Sequence, residues 1–373
     1  MSPLGNGDLV FTFRIVTPIT RAGQMRGTVC RVIGNFAQLY APRSFKPRSF
    51  KPTFHSNPIA QLAKQSYIKR TMATAMGKRL EGKTIVITGA SSGIGKSTAK
   101  EFARTSPKNL KLIVTARRID ALKQLAQEIK EEVGDGVKVL PVQLDVSSPE
   151  QISNFVPSLP AEFREIDVLV NNAGLVKGVA KAPEIDPKDT DIMFSTNVTG
   201  LINMTQAILP IFKKRDDGGR GDIINIGSIA GRESYPGGSI YCATKAAVRS
   251  FTDALRKELI ATRIRVIEID PGQVETVRPY LLLIDIVIHW VCFLNNRRIA
   301  DWIYLEKEFS VVRFYGDKSK ADAVYAGCEP LTGDDIAEVV VFAAGRRENV
   351  VIADTLIFPQ HQASPTAMYK KSS

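Results

Sequence analysis

Residues 84–95 read Thr84-Ile-Val-Ile-Thr88-Gly89-Ala90-Ser91-Ser92-Gly93-Ile94-Gly95, a β-branched run that stops in glycines. A short apolar run of this kind suits a strand buried on both faces of a sheet. From Gly93 to Arg104 the pattern becomes helical. A strand, a glycine turn and a helix in this order supply what a pyrophosphate needs. The turn is tight, the backbone comes close, and free N–H groups at the helix N-terminus favour an anion. Gly89, Ser91, Ser92, Gly93, Ile94 and Gly95 are therefore the candidate phosphate cradle.

Working outward, the alternation repeats. Leu110 to Thr115, Val137 to Leu144, Asp167 to Asn171, Asp222 to Gly227, Arg265 to Asp270 and Val350 to Ile357 read as strands. Helical periodicity runs through Glu132 and over about 189–214 and 239–262. Buried strands separated by helices predict an α/β fold: a single doubly wound domain on a mostly parallel, seven-stranded sheet with right-handed crossovers. Ligands bind such sheets at the carboxyl ends of strands. Asp145 and Val146 lie at one such end, and Asn171-Asn172-Ala173-Gly174 at another.

The second strand runs into Thr115-Ala-Arg117-Arg118, where a site for NAD usually presents an acid. Two guanidiniums suit a 2′-phosphate instead, so NADP is the predicted cofactor. Asp120, the nearby acid, is expected to cap the next helix.

Tyr241-Cys-Ala-Thr-Lys245 carries the proton chemistry, with Ser228 upstream. A spacing of four puts Tyr241 and Lys245 on one helix face, about a turn apart. A free phenol titrates near 10, and an adjacent ammonium lowers that value by stabilising the phenolate. Tyr and Lys then form an acid/base unit, and Ser228 at a strand end orients the substrate oxygen.

Charge locates the folded body. The net charge of +12 arises before Glu81: Leu9 to Leu80 hold thirteen Lys or Arg and no acid, and Asp8 is the one acid in the whole leader. The remainder is balanced, which argues against a nucleic-acid partner. Residues 1–79 are read as a basic, disordered leader. Two origins stay open, an organelle transit peptide or a start of translation at Met72 or Met76. The cytoplasm is the expected compartment, or the mitochondrion if the leader is a transit peptide. Cys30, Cys242, Cys292 and Cys328 stand at irregular spacings, and His55, His289 and His361 are scattered, so neither a disulfide framework nor a metal site is expected.

In kind and order, Thr88 to Gly95, Asn171 to Gly174, Asn197, Ser228, Tyr241-x-x-x-Lys245 and Pro271-Gly272-Gln-Val274-Glu-Thr276 resemble the short-chain dehydrogenase/reductase family. The likeness covers 81–276 and about 308–365. It implies a Rossmann-type domain, Tyr241 as acid/base, and Lys245 on the nicotinamide ribose. It also implies Ser228 orienting substrate, Asn197 anchoring a water relay, Pro271 to Thr276 wrapping the nicotinamide, and a homotetramer. Glu308-Phe-Ser-Val-Val-Arg313 and Tyr325-Ala-Gly-Cys-Glu-Pro-Leu are similar to the NADP-dependent 3-hydroxy acid dehydrogenases of the family, which oxidise serine and 3-hydroxyisobutyrate. Arg313 is then a candidate partner for a substrate carboxylate. A carbonyl or 3-oxoacyl reductase of the same family is the rival reading.

The likeness breaks at 277–307, an apolar stretch with Asp285 and His289 inside it, too short and too charged for a membrane span. Deleting it restores the family pattern, so an unspliced intron is one reading. As real protein it would disturb the substrate side and leave a cofactor-binding module with impaired turnover. The expected organisation is thus a leader at 1–79, one domain at 80–365 interrupted at 277–307, and a tail at 366–373.

Overall fold

The computed structural model describes residues 75–371 apart from Asp217 and 276–307. Thr276, the 277–307 segment, residues 1–74 of the leader and the end of the tail lie outside the described residues.

In chain order the strands are β1 (Thr84–Thr88), β2 (Leu110–Ala116), β3 (Val137–Gln143), β4 (Val168–Asn171), β5 (Arg220–Ile226), β6 (Arg263–Pro271), β7 (Val274–Glu275), β8 (Leu331–Thr332) and β9 (Asp354–Ile357). The helices are α1 (Ala75–Leu80), α2 (Gly93–Thr105), α3 (Ile119–Val133), α4 (Pro149–Ser158), α5 (Pro187–Phe194), α6 (Leu201–Lys213), α7 (Ser239–Glu258), α8 (Glu308–Arg313), α9 (Lys318–Tyr325) and α10 (Gly333–Ala344). Seven strands form one sheet in the order β3-β2-β1-β4-β5-β6-β9, and every pair is parallel. β7 and β8 make a separate short parallel pair.

Successive strand residues point to opposite faces, so each face needs its own cover. Ile85 and Ile87 of β1 join a core with Phe102 of α2, Leu122 of α3 and Val340 of α10. Val86, between them, joins a core with Phe155 of α4, Ile208 of α6 and Leu255 of α7. Fully burying side chains of this size contributes roughly 1.5–3 kcal/mol each. The strand order reverses between β1 and β4, which opens a crevice at their carboxyl ends.

Several elements differ from the sequence reading. The long helix expected over 189–214 is broken by a π turn at Ser195–Gly200 between α5 and α6. α4 and α10 were not anticipated. Residues 75–79, read as leader, form α1, where Arg79 Nε donates to the Gly345 carbonyl at 2.7 Å. The tail folds back as well: Tyr369 N–H donates to His361 O, and Lys371 N–H to Gly327 O. Asp120 sits in the first turn of α3, and Arg118 occupies the N-cap position that Asp120 was expected to fill.

Candidate active site

A cavity of about 490 Å³ opens at the strand ends where the order reverses. Its nucleotide end is built on β1 and β4. The Thr88 hydroxyl accepts the N–H groups of Asn172 and Ala173, both at 3.0 Å. Asn172 Nδ2 returns bonds to the carbonyls of Thr88 at 2.8 Å and Gly89 at 3.2 Å. The two turns are thereby pinned face to face. Gly89 lies at φ +67, and a Cβ there would stand 2.8 Å from Ala173 Cα, so a larger residue is excluded by both strain and space.

Ser91, Ser92, Gly93 and Ile94 line the cavity with Gly89. Gly95 does not; it is buried, and a Cβ there would run into Asn172 Nδ2 and Gly89 O. Its part is close helix packing. No side chain caps the first turn of α2, as is also true of α3, α6 and α7, whereas Ser148, Asp186 and Thr332 cap α4, α5 and α10. The helix end facing the cavity thus keeps its N–H groups for an anion. Arg118 Nη2 donates to Ser91 Oγ at 2.9 Å and Ser92 Oγ at 3.3 Å, and Arg117 lines the same end. These donors fit a dinucleotide carrying an additional phosphate.

Asp145 and Val146 also line the wall. The Asp145 carboxylate accepts from its own turn, through Ser147 N–H at 2.9 Å and Ser147 Oγ at 2.7 Å.

At the other end stand Ser228, Tyr241 and Lys245, all buried and all on the cavity wall. Ser228 ends the turn after β5, where its Oγ accepts Ala230 N–H at 3.1 Å and also meets the Tyr241 hydroxyl. Tyr241 and Lys245 come from α7, as their spacing requires. Burial raises the Tyr241 pKa, the Tyr235 phenol beside it adds to this, and the Ser228 bond and the Arg313 charge oppose it. Burial lowers Lys245 to about 8, against the opposing pull of Asp270 and Glu268. Lys245 Nζ donates to Ile226 O at 2.9 Å and stands 5.9 Å from the Tyr241 ring centre. The spacing predicts that the ammonium holds the phenol's pKa down; in this geometry burial raises it, and the groups that oppose the rise are Ser228 and Arg313.

Asn197 lies in the π turn and does not reach the cavity wall; its neighbour Thr196 does. Its Oδ1 accepts Leu175 N–H at 2.8 Å, and its Nδ2 donates to Leu175 O at 2.8 Å and Thr244 Oγ1 at 3.1 Å. The relay role assigned to it rests on the family likeness alone. Pro271, Gly272, Val274 and Gly174 line the cavity.

One wall was not anticipated. Phe309, Val311 and Val312 of α8 face the cavity, and the Phe309 ring stands edge-on to Tyr241 at 6.0 Å. Arg313, at the end of α8, lies over the rings of Tyr235 and Phe314 at 5.7 and 5.6 Å. Its Nε is buried without a hydrogen-bond partner. Among the described residues no cluster of His, Cys, Asp and Glu is placed to hold a metal, and no helix is long and apolar enough to cross a membrane.

The chain belongs to the short-chain dehydrogenase family, whose model matches residues 83–279. It is 51% identical over 295 residues to an NADP-dependent 3-hydroxy acid dehydrogenase of Schizosaccharomyces pombe, covering 79% of this chain and 99% of the relative. A serine 3-dehydrogenase of Agrobacterium fabrum is 34% identical over 280 residues, covering 75% of this chain and 95% of that one. Among solved structures, the closed form of a serine dehydrogenase complexed with NADP+ is 35% identical with a TM-score of 0.61. That match covers 77% of this chain and 99% of that one.

Proposed function

We propose that the chain is an NADP-dependent oxidoreductase acting on small 3-hydroxy acids, with Tyr241 moving the proton. The observation that carries this reading is the shared cavity wall of Ser228, Tyr241 and Lys245, with Arg117 and Arg118 at its far end. The relatives' names support the cofactor and the substrate class.

A nicotinamide dinucleotide held by Gly89, Ser91 to Ile94, Arg117 and Arg118 would supply the hydride acceptor for oxidation of the carbinol carbon and the hydride donor for reduction of the carbonyl. The chain handles the proton. Ser228 Oγ holds the substrate oxygen beside the Tyr241 hydroxyl, which accepts the alcohol proton in one direction and donates it in the other. The Lys245 ammonium, on the same helix face, would steady the phenolate and hold the nicotinamide ribose. Phe309, packed on Tyr241, shields the site from water.

Arg313 supports an acid substrate over a neutral alcohol. Arg313 stands behind the α8 wall rather than on it, bonds the Tyr235 hydroxyl, and keeps an unsatisfied Nε with no carboxylate partner among the described residues, which leaves it able to take an anion. The test is Arg313→Gln. The KM for 3-hydroxy acids is expected to rise roughly 10- to 100-fold, with NADPH affinity and turnover of a neutral alcohol little changed. Equal losses on acid and alcohol sink the carboxylate reading.

A further inference from the structure

We propose that the Asp270 carboxylate is a positioning group of the active site, fixing the Ser228 turn and supplying the negative charge that keeps Lys245 an ammonium. The proposal rests on the reading of Ser228, Tyr241 and Lys245 given above.

Asp270 is 1% exposed and lies near the end of β6. Its Oδ1 accepts Ser228 N–H at 2.8 Å. The two preceding residues are held too: Gly227 N–H donates to Ile269 O at 2.8 Å, and Ile226 O receives Lys245 Nζ at 2.9 Å. Residues 226–228 are therefore tied in turn by the lysine, by the β6 backbone and by the Asp270 side chain. The other oxygen, Oδ2, receives Arg232 Nε at 2.6 Å and Arg249 Nη1 at 3.4 Å. Arg232 follows the short turn after Ser228, and Arg249 stands one helical turn beyond Lys245 on α7. One carboxylate thus joins the serine turn, the segment after it and the lysine helix.

A neutral acceptor would serve Ser228 N–H equally well, so the charge needs its own reason. Lys245 is 7% exposed, and burial favours its neutral form. The groups facing it are Tyr241 on its own helix and the two β6 acids, Asp270 and Glu268. Around those acids stand Arg232, then Arg249 and Arg256 of α7, and Asp354 of β9, which takes the outer nitrogens of Arg232 and Arg249. Glu268 Oε1 has no hydrogen-bond partner, while both Asp270 oxygens are engaged by donors. Asp270 is accordingly the acid that the surrounding N–H and guanidinium donors hold in place beside the lysine helix. The crowding is visible at Gly227, where a Cβ would collide with Asp270 Oδ1 and come within 2.9 Å of Glu268 Oε1.

Asp270→Asn keeps an oxygen for Ser228 N–H and removes the charge. Asp354→Asn removes the other acid bound to the same arginines and leaves Asp270 in place. In the oxidising direction Lys245 has to stay protonated, so the alkaline limb of kcat/KM reports its ammonium. Asp270→Asn is expected to move that limb down by roughly one pH unit, Asp354→Asn to leave it in place, and Asp270→Glu to restore part of it. A second readout needs no turnover. Asp270→Asn should lower Tm by about 3 °C more in the wild-type background than in Lys245→Met, because only the former strands a buried ammonium. If Asp270→Asn does not fold alone, adding Lys245→Met is expected to rescue it, and failure of that rescue overturns the proposal. Identical behaviour of Asp270→Asn and Asp354→Asn, or strict additivity with Lys245→Met, also overturns it. Thermal coupling in a chain that shows no turnover upholds the tie between Asp270 and Lys245 and refutes the oxidoreductase reading instead.

Discussion

Two strand-end clamps shape this cavity, and they differ in one respect. At β1 and β4 the Thr88 hydroxyl receives two backbone N–H groups from the neighbouring turn. At β5 and β6 the Asp270 carboxylate receives one such N–H group and two arginines. The first clamp is neutral and holds the surface proposed to take the phosphates through backbone. The second is charged and stands behind the groups proposed to exchange a proton. A neutral clamp responds to pH only through the fold, whereas a charged one couples pH to the chemistry beside it.

The largest effect should come from the charged half. Tyr241→Phe is expected to cut kcat by roughly 10²- to 10⁴-fold while NADPH fluorescence titrations give an unchanged Kd; normal turnover would place the proton transfer elsewhere. Next comes the neutral half, through Arg117→Ala combined with Arg118→Ala. Affinity for NADP should fall roughly 10- to 100-fold and affinity for NAD far less, and equal losses would make these arginines structural.

The smallest effects separate the clamps by pH. Thr88→Val leaves the N–H groups of Asn172 and Ala173 without their acceptor and should cost about 1–3 kcal/mol at any pH. Glu268 behaves differently. Burial, with Asp270 beside it, pushes its pKa up from 4.5 to about 7. A folded-state pKa above the unfolded one means that the buried charge penalises folding above about 7 and not below 4.5. Glu268→Gln should therefore stabilise the protein near pH 8 and change little near pH 4, as read from urea midpoints. A stabilisation equal at both pH values would show that the carboxyl is not titrating.

Most of the sheet was legible because buried parallel strands leave apolar runs, and β1 to β6 fall where those runs stand. α10 escaped notice because Ile336-Ala-Glu-Val-Val-Val-Phe-Ala-Ala344 is apolar nearly all round and shows no helical stripe. Its capping box of Thr332 and Asp335 was the usable signal. α4 carries Pro149 and Pro157, which read as loop. The π turn at 195–200 left no mark that periodicity detects. In the site, the contiguous motifs supply Gly89, Ser91 to Ile94, Ser228, Tyr241 and Lys245, all of which line one cavity. Asp270 stayed hidden because its partner Ser228 is 42 residues away, and pairing at that range is set by strand order. The α8 wall was missed for a like reason, since the chain alone does not show that Phe309 returns to Tyr241.

β9 has a consequence for biosynthesis. It is the last made of the described strands, yet it pairs with β6, and its first residue, Asp354, binds Arg232 and Arg249. On the ribosome the turns around Thr88 and Asn172 can meet once Ala173 has emerged, long before Asp354 exists. Until then the two arginines have Asp270 between them as their shared acid, and the β6 edge is bare. The proposed nucleotide cradle can thus take shape before the arginine pair is complete, while one strand edge still invites aggregation.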